Sequence, residues 1–267
     1  MNWAQRPIAN AFVTRLRQAS TFGGADLAAI AALPVDIRNV DANGTVVPEG
    51  SRGDRIHVLL DGWAARFKIL ENGSRQIPAL MLPGDMCDID ALHLDRNDCG
   101  TMAVTRCTAA VFGRDQLMAL FDRHRGVRDA VYRIMAIDNA IATQWTVCLG
   151  RRSARERLAH LLCELHARLD AVGQASDGAS GRGFAMPLTQ EEIADVLGLT
   201  AVHVNRTLQG LRSDGLIQLR DHRLTIPDEA ALRRVAGFDG GYLHLPNGPA
   251  GPARNGRMTM EAGRAYA

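Results

Sequence analysis

The stretch Leu188-Thr189-Gln190-Glu191-Glu192-Ile193-Ala194-Asp195-Val196-Leu197-Gly198-Leu199-Thr200-Ala201-Val202-His203-Val204-Asn205-Arg206-Thr207-Leu208-Gln209-Gly210-Leu211-Arg212-Ser213 holds two helix starts with a stop between them. Thr189 followed by Glu192 is a capping box: the hydroxyl satisfies a free N–H of the first turn and the carboxylate reaches back. Ile193, Ala194 and Leu197 give that helix one apolar face, and Gly198 ends it. Thr200 caps a second helix, predicted over Ala201–Ser213 and stopped by Asp214-Gly215. Two short helices joined by a tight glycine turn form a helix-turn-helix. In the second helix Val204, Leu208 and Leu211 follow the i, i+4, i+7 pattern of a buried face. Val202, Asn205, Arg206, Gln209 and Arg212 fall opposite. Arginine can bond guanine O6 and N7 together, asparagine can do the same to adenine, and valine can touch a thymine methyl. The N-terminal residues of such a helix reach base edges, so Val202, Asn205 and Arg206 are the expected base readers. Thr189, Gln190, Thr200, His203, Gln209 and Arg212 are expected to meet the DNA backbone. After Gly215, Leu216–Leu219 and Arg223–Ile226 alternate around Arg220-Asp221-His222 as a hairpin, or wing, and Arg220, His222 and Arg223 are its candidate phosphate contacts. A helical pair with a merely solvated polar face is the plainer alternative. Two caps, suitable lengths and a following wing argue against it.

Working outward, the Gly-, Ser- and Ala-rich run Gly173–Gly183 reads as a loop. Ser153-Ala154-Arg155-Glu156 is another capping box and opens a leucine-rich helix. Before it lies a long helical run ending near Leu149, with Gly150 read as a break and hinge. Its residues Val127, Val131, Ile134, Asp138, Ile141, Trp145 and Cys148 keep a 4-3 register, a seam that packs on its own domain or on a second copy. Asp138 occupies an apolar position there, and two facing carboxylates would weaken a dimer. From Val35 to Gly113 short β-prone runs alternate with Asn43-Gly44, Asp61-Gly62, Asn72-Gly73 and Pro83-Gly84, turn pairs suited to positive φ. Many short strands at regular intervals suggest an antiparallel sandwich or barrel. Asp115–His124 reads as a short helix punctuated by Gly126. Ile8, Phe12 and Leu16 mark an N-terminal helix, and Asp26–Leu33 a second. The predicted organisation is α+β: N-terminal helices over 1–34, a β domain over 35–124, a long helix over 125–150, a winged helix-turn-helix over 151–236 and a mostly disordered tail over 237–267.

Composition narrows the function. The 267 residues carry a formal charge of +2, so nucleic-acid binding must rest on local charge. The start lacks the apolar core of a signal peptide, and no stretch has the length of a membrane span. A cytoplasmic protein is expected. Five cysteines, an odd number without a CxxC pair, argue against a disulfide framework or a zinc knuckle. The segment Asp85–Cys99 is acid-rich and holds Cys87 and His93, but its spacing does not single out a metal, and no metal site is expected. There is no nucleophile elbow, P-loop, HExxH or dinucleotide fingerprint, so an enzyme is not expected. The rival reading is a ligand- or redox-sensing β protein that never reads DNA.

The chain from about Ala25 to Phe238 resembles the Crp/Fnr family of bacterial regulators. The likeness lies in the glycine-punctuated strands ending in Leu82-Pro83-Gly84-Asp85, the long helix, Gly150-Arg151-Arg152-Ser153-Ala154-Arg155-Glu156-Arg157-Leu158, and above all Leu188–Asp195 with Leu199–Leu208. The resemblance implies a cyclic-nucleotide-type β-roll, a dimerising helix with the 4-3 seam above, and a winged helix-turn-helix acting as a homodimer on a palindromic operator in double-stranded DNA. RNA polymerase is a further partner if the protein activates. The best-known members carry Glu and a small residue where this chain has Val202 and Asn205, and only Arg206 agrees. The resemblance places an effector region at Gly84, Asp85, Cys87 and Thr101. Members that bind cyclic nucleotide have Gly-Glu and then Arg before Ser or Thr. Here Gly84-Asp85 and Gly100-Thr101 stand in those places, so cyclic AMP is not expected. Iron–sulfur members cluster cysteines near the N-terminus. None precedes Cys87, so that cluster is not expected either, and no cofactor is assigned.

Overall fold

The computed structural model describes residues 10–21, 23–178 and 181–245. Ile8 and residues 246–267 of the expected tail lie outside them. The chain opens with α1 (Asn10–Ala19) and α2 (Gly24–Ala32), then β1 (Asp36–Val40), β2 (Thr45–Val47), β3 (Arg55–Asp61), β4 (Ala64–Ile69), β5 (Arg75–Met81), β6 (Gly100–Ala103) and β7 (Cys107–Gly113). These strands form two antiparallel sheets, ordered β1-β7-β3 and β2-β6-β4-β5. Val46, Val47, Leu59, Ala64, Met81, Ala103 and Cys107 fill the space between them. Two of the turn glycines are required by their surroundings. Gly62 has φ +86 and a Cβ there would lie 2.4 Å from the Arg106 carbonyl oxygen, while Gly84 has φ +99 and its Cβ would meet the Ala11 carbonyl at 2.8 Å.

Helices α3 (Arg114–Arg123) and α4 (Arg125–Arg151) follow. The structure corrects the glycine reading here: Gly126 and Gly150 both lie inside α4, whose 27 residues make a rod about 40 Å long. A single exposed glycine costs a helix only about 1 kcal/mol, too little to break one packed along its length. The chain turns instead at Arg152, in extended backbone (φ −100, ψ 147), just before the Ser153–Glu156 capping box opens α5 (Ala154–Ala171). The expected loop over Gly173–Gly183 is also corrected. It contains β8 (Ser176–Gly178) and β9 (Gly181–Ala185), and β9 pairs with β11 (Arg223–Ile226) in a sheet ordered β10-β11-β9-β8, with β10 at Gln218–Arg220. A strand so poor in side chains leaves no apolar alternation to read. Helices α6 (Gln190–Leu197), α7 (Ala201–Ser213) and α8 (Glu229–Ala236) complete the C-terminal domain.

The 4-3 stripe of α4 faces the chain's own interior. Val127, Val131 and Ile134 pack with Phe12, Leu16, Phe112 and Phe121, and Ile141 and Trp145 pack with Leu80, Leu158 and Leu162. Cys148 is likewise buried. These residues are therefore not the surface open to a second copy. Asp138 is corrected with them: its carboxylate accepts a 2.5 Å bond from Arg15 Nη2 of α1, so it is neutralised within the chain. The part of the tail within the described residues is ordered: after Gly237, Phe238 and Leu243 are buried, and Tyr242 lies against α4 and α5.

A chain of buried charge ties these elements together. Asp85, at the β-turn after β5, pairs with Arg15 and, at 2.7 Å, with Arg168 of α5. It also accepts the Leu82 N–H. Arg168 donates to the Leu80 carbonyl and, at 3.4 Å, to Glu164. Glu164 is fully buried, accepts from Trp145 Nε1 of α4 and from the Tyr242 hydroxyl, and has its carboxyl pushed up by burial against the opposing pull of Arg168. Stripping a partner from such a pair leaves a buried charge uncompensated. Asp85→Ala is expected to lower stability by about 3–5 kcal/mol in urea unfolding. Asp36→Ala, which breaks the exposed Asp36–Arg38 pair, should cost less than about 1 kcal/mol.

Candidate nucleic-acid interface

Both helix starts of the C-terminal domain carry their caps. The Thr189 hydroxyl accepts the Glu192 N–H at 3.1 Å, while Glu192 Oε2 accepts the Thr189 N–H at 2.7 Å. Thr200 Oγ1 accepts the His203 N–H at 3.2 Å. Gly198 ends α6 in the left-handed conformation (φ 61, ψ 44), and Arg157 of α5 donates to the Leu197 carbonyl at 3.0 Å. The turn between α6 and α7 is thus held from below. Val204, Leu208 and Leu211 are buried under α7, which leaves Val202, Arg206, Gln209 and Arg212 exposed on the other face, with Asn205 half-buried beside them. Val202 is 81% exposed, an apolar side chain that no described residue covers.

The predicted contact residues do not all remain available. Arg206, Arg212 and Arg220 make no hydrogen bond or ion pair among the described residues, so their guanidinium groups are free to meet a ligand. The wing turns at Asp221 and His222, both with positive φ (48 and 56), the signature of a tight two-residue hairpin. Its arm and α7 border a cleft of about 550 Å³ lined by Gln209, Arg212, Ser213, Gln218 and Arg220. Arg223 is a correction. Its guanidinium bonds the Ser176 hydroxyl and, at 3.1 Å, the Gly183 carbonyl, so it braces the sheet. Thr189 is another, because its N–H and hydroxyl are consumed by the cap. The hydroxyl of Thr200 is spent in the same way, and His203 is half-buried beside it. What sequence reasoning missed is a bond across the motif: Asn205 Nδ2 donates to Gln190 Oε1 at 2.9 Å. Amide pairs between neighbouring helices leave no signal in spacing.

The residues placed in the effector region are occupied within the chain. Gly84 is filled by the approach of Ala11, and Asp85 is held by Arg15 and Arg168. Cys87 is buried and its thiol pushed well up by burial. Thr101 is 1% exposed and meets the Cys87 carbonyl at 3.5 Å. A Cβ on Gly100 would lie 2.6 Å from the Phe67 ring, so an aromatic ring fills the place from which a side chain would leave. Beside these residues a cavity of about 440 Å³ opens between β5 and α4, lined by Arg66, Met81, Asp90, Met135 and Trp145 among others. Arg66 is paired to Asp90 at 2.5 Å. Among the described residues no group of His, Cys, Asp and Glu is placed to hold a metal.

A capped two-helix motif with an exposed arginine face, a wing and an antiparallel β domain joined by a long helix define a winged helix-turn-helix DNA-binding regulator. Family comparison gives the same division: the Crp-like helix-turn-helix domain matches residues 156–235, and the cyclic nucleotide-binding domain matches residues 37–124. The chain is 31% identical over 203 residues to the transcriptional activator protein FnrL of Cereibacter sphaeroides, covering 76% of this chain and 81% of that protein. It is 29% identical over 194 residues to the nitrogen fixation regulation protein FixK of Rhizobium meliloti, covering 71% and 82%. The solved structure of FixK2 from Bradyrhizobium japonicum shares the fold, with a TM-score of 0.67 at 22% identity over 76% of this chain and 98% of that one. The chain belongs to the Crp/Fnr family of DNA-binding transcription regulators, a family without enzymatic activity.

Replacing Arg220 should weaken DNA binding and lower the salt dependence by about one counterion. Arg223→Ala should instead lower the melting temperature of the sheet β8–β11. Salt titrations of binding set beside thermal melts separate the two.

Proposed function

We propose that this regulator acts as a homodimer on a palindromic operator, each protomer laying α7 in successive major grooves, and that neither cyclic AMP nor an iron–sulfur cluster is its effector. The observation that carries the reading is the free Arg206 guanidinium on the exposed face of α7, flanked by Val202 and Asn205. Residues with that chemistry at a recognition-helix N-terminus read base edges. Gln209, Arg212, Arg220 and His222 lie further out and suit phosphates.

The dimer is supported by the outer face of α4. Tyr132, Ala136, Asn139, Thr143, Thr146 and Gly150 are all exposed and keep a 4-3 register of their own. Each stands two positions before or after Ile134, Ile141 or Cys148, about 200° around the helix in one sense or the other. Between Arg133 and Arg151 the only charged residue is Asp138. An uncharged seam of small side chains on a rod of this length fits a second copy in parallel. A parallel pair carries two α7 helices related by a two-fold axis, hence the palindrome.

For the effector, a cyclic phosphate needs a cation, and the described residues around Gly84 and Gly100 offer none unpaired. Gly100 faces the Phe67 ring, Arg66 is paired to Asp90, and the carboxylate of Asp85 is enclosed by two arginines. Among the described residues the cysteines are not gathered into a group that could hold a metal, which gives an iron–sulfur cluster no shared site. Among the described residues no helix is long and apolar enough to cross a membrane, and the site of action in this reading is cytoplasmic. If the protein activates, as FnrL does by its name, RNA polymerase is the further partner.

Selection from a random duplex pool should return a two-fold-related motif with no effector added. Arg206→Ala should lose about 1–3 kcal/mol at one base pair per half-site. A motif without symmetry, or an Arg206→Ala protein with an unchanged motif, would overturn the reading. Thr143→Arg, which sets charge into the seam, should yield a monomer in sedimentation and weaken operator binding at least tenfold.

A further inference from the structure

Gln190 is the first residue of α6, and its side-chain oxygen takes one N–H of Asn205, 2.9 Å away on α7. Gln190 is exposed and Asn205 half-buried. A carboxamide has two N–H donors and one carbonyl acceptor. Committing one N–H to Gln190 leaves Asn205 a single donor beside its acceptor. That is the complement of adenine, which offers N7 as acceptor and the N6 amine as donor in the major groove. Guanine offers two acceptors there, so it needs two donors and is mismatched by an asparagine held this way. We propose that Gln190 is a positioning residue for sequence reading, locking the Asn205 amide so that Asn205 selects adenine in the base pair next to the guanine read by Arg206.

The orientation of the pair has a physical cause. With its oxygen turned to Asn205, the Gln190 amide nitrogen faces outward at the start of α6. The backbone N–H groups of that first turn also point outward, apart from the Thr189 and Glu192 groups spent in the cap. The free N–H groups of Gln190 and Glu191 can take a phosphate oxygen, with the Glu192 carboxylate spent in the cap and that of Glu191 the opposing charge in the same turn. A phosphate would hold the Gln190 nitrogen outward, which holds its oxygen on Asn205, which sets the polarity of the edge shown to the base. Contact with the DNA backbone and choice of base are thereby coupled through two side chains. Asn205 alone would rotate between two edges, and the discrimination it gives would be shared between them.

The inference rests on the operator reading above, and the same experiment separates the two. Duplex selection is run with the wild-type chain, Asn205→Ala, Gln190→Leu and Gln190→Glu. The wild type is expected to favour adenine about tenfold at one pair adjacent to the Arg206 guanine. Asn205→Ala should flatten that pair alone. Gln190→Leu should reduce the adenine preference to about threefold or less there, with the rest of the motif unchanged and an unaltered melting temperature. Gln190→Glu keeps an acceptor for Asn205 but repels phosphate, so it should keep the adenine preference while total affinity falls several-fold. A purely structural role would lower affinity for every sequence equally. The proposal is overturned if Gln190→Leu weakens all sequences alike, if it leaves the adenine preference intact while Asn205→Ala removes it, or if the pair selected is not A·T. Failure of the wild type to enrich any motif would instead overturn the operator reading itself.

Discussion

Arg168 is the cation on which the arrangement of domains depends. It sits between two buried carboxylates, Asp85 from the β domain and Glu164 from its own helix. An arginine is always charged and offers a fork of donors, so it can serve several acceptors at once. Here it also takes the Leu80 carbonyl, at the strand that α5 covers. Arg15 reaches the same Asp85 from α1 and continues to Asp138 on α4. Strand, N-terminal helix, long helix and DNA-binding domain are thus drawn to one point. The apolar contacts around them supply the bulk of the stabilisation, while the charges supply the geometry, because only one arrangement satisfies every partner.

How legible this was depends on the range of the interactions. The DNA-reading motif could be found in the sequence because its determinants are local: Thr189 with Glu192, Thr200 with His203, and Gly198 at the one left-handed position. The strands of the β domain were located by the turns between them. The stripe along α4 was visible, but spacing reports that a face is apolar and not what covers it. The buried stripe belongs to the chain itself, and the opposite face, made of Ala, Asn and Thr, has too little apolar contrast to register as a seam. Arg15 with Asp138, 123 residues apart, could not be anticipated from either neighbourhood. Neither could Arg223, which carries the chemistry of a phosphate contact but spends it inside the sheet.

The two domains differ in how far they keep the family's pattern. The C-terminal domain retains the caps, the lengths and Arg206, and alters its neighbours. The β domain retains the strands and turns, with Phe67 standing against Gly100 and Arg15 and Arg168 enclosing Asp85. The exposed face of α7 and the enclosed side chains around Gly84 and Gly100 are separate sets of residues.

The largest cluster of buried side chains is continuous from Trp63, Ile77 and Leu80 of the β domain through Ile141 and Trp145 of α4 to Leu158, Phe184, Ile193 and Leu224 of the DNA-binding domain. Topology counts two domains, but this interior belongs to both. Cutting the chain between them would leave leucine and tryptophan surface bare on each half, with Asp85 separated from Arg168 and Glu164 from the Trp145 indole. The C-terminal reading head is thus not a cassette that recombination could graft onto another sensor unchanged. Its exchange would have to carry β5 and the inner face of α4 with it.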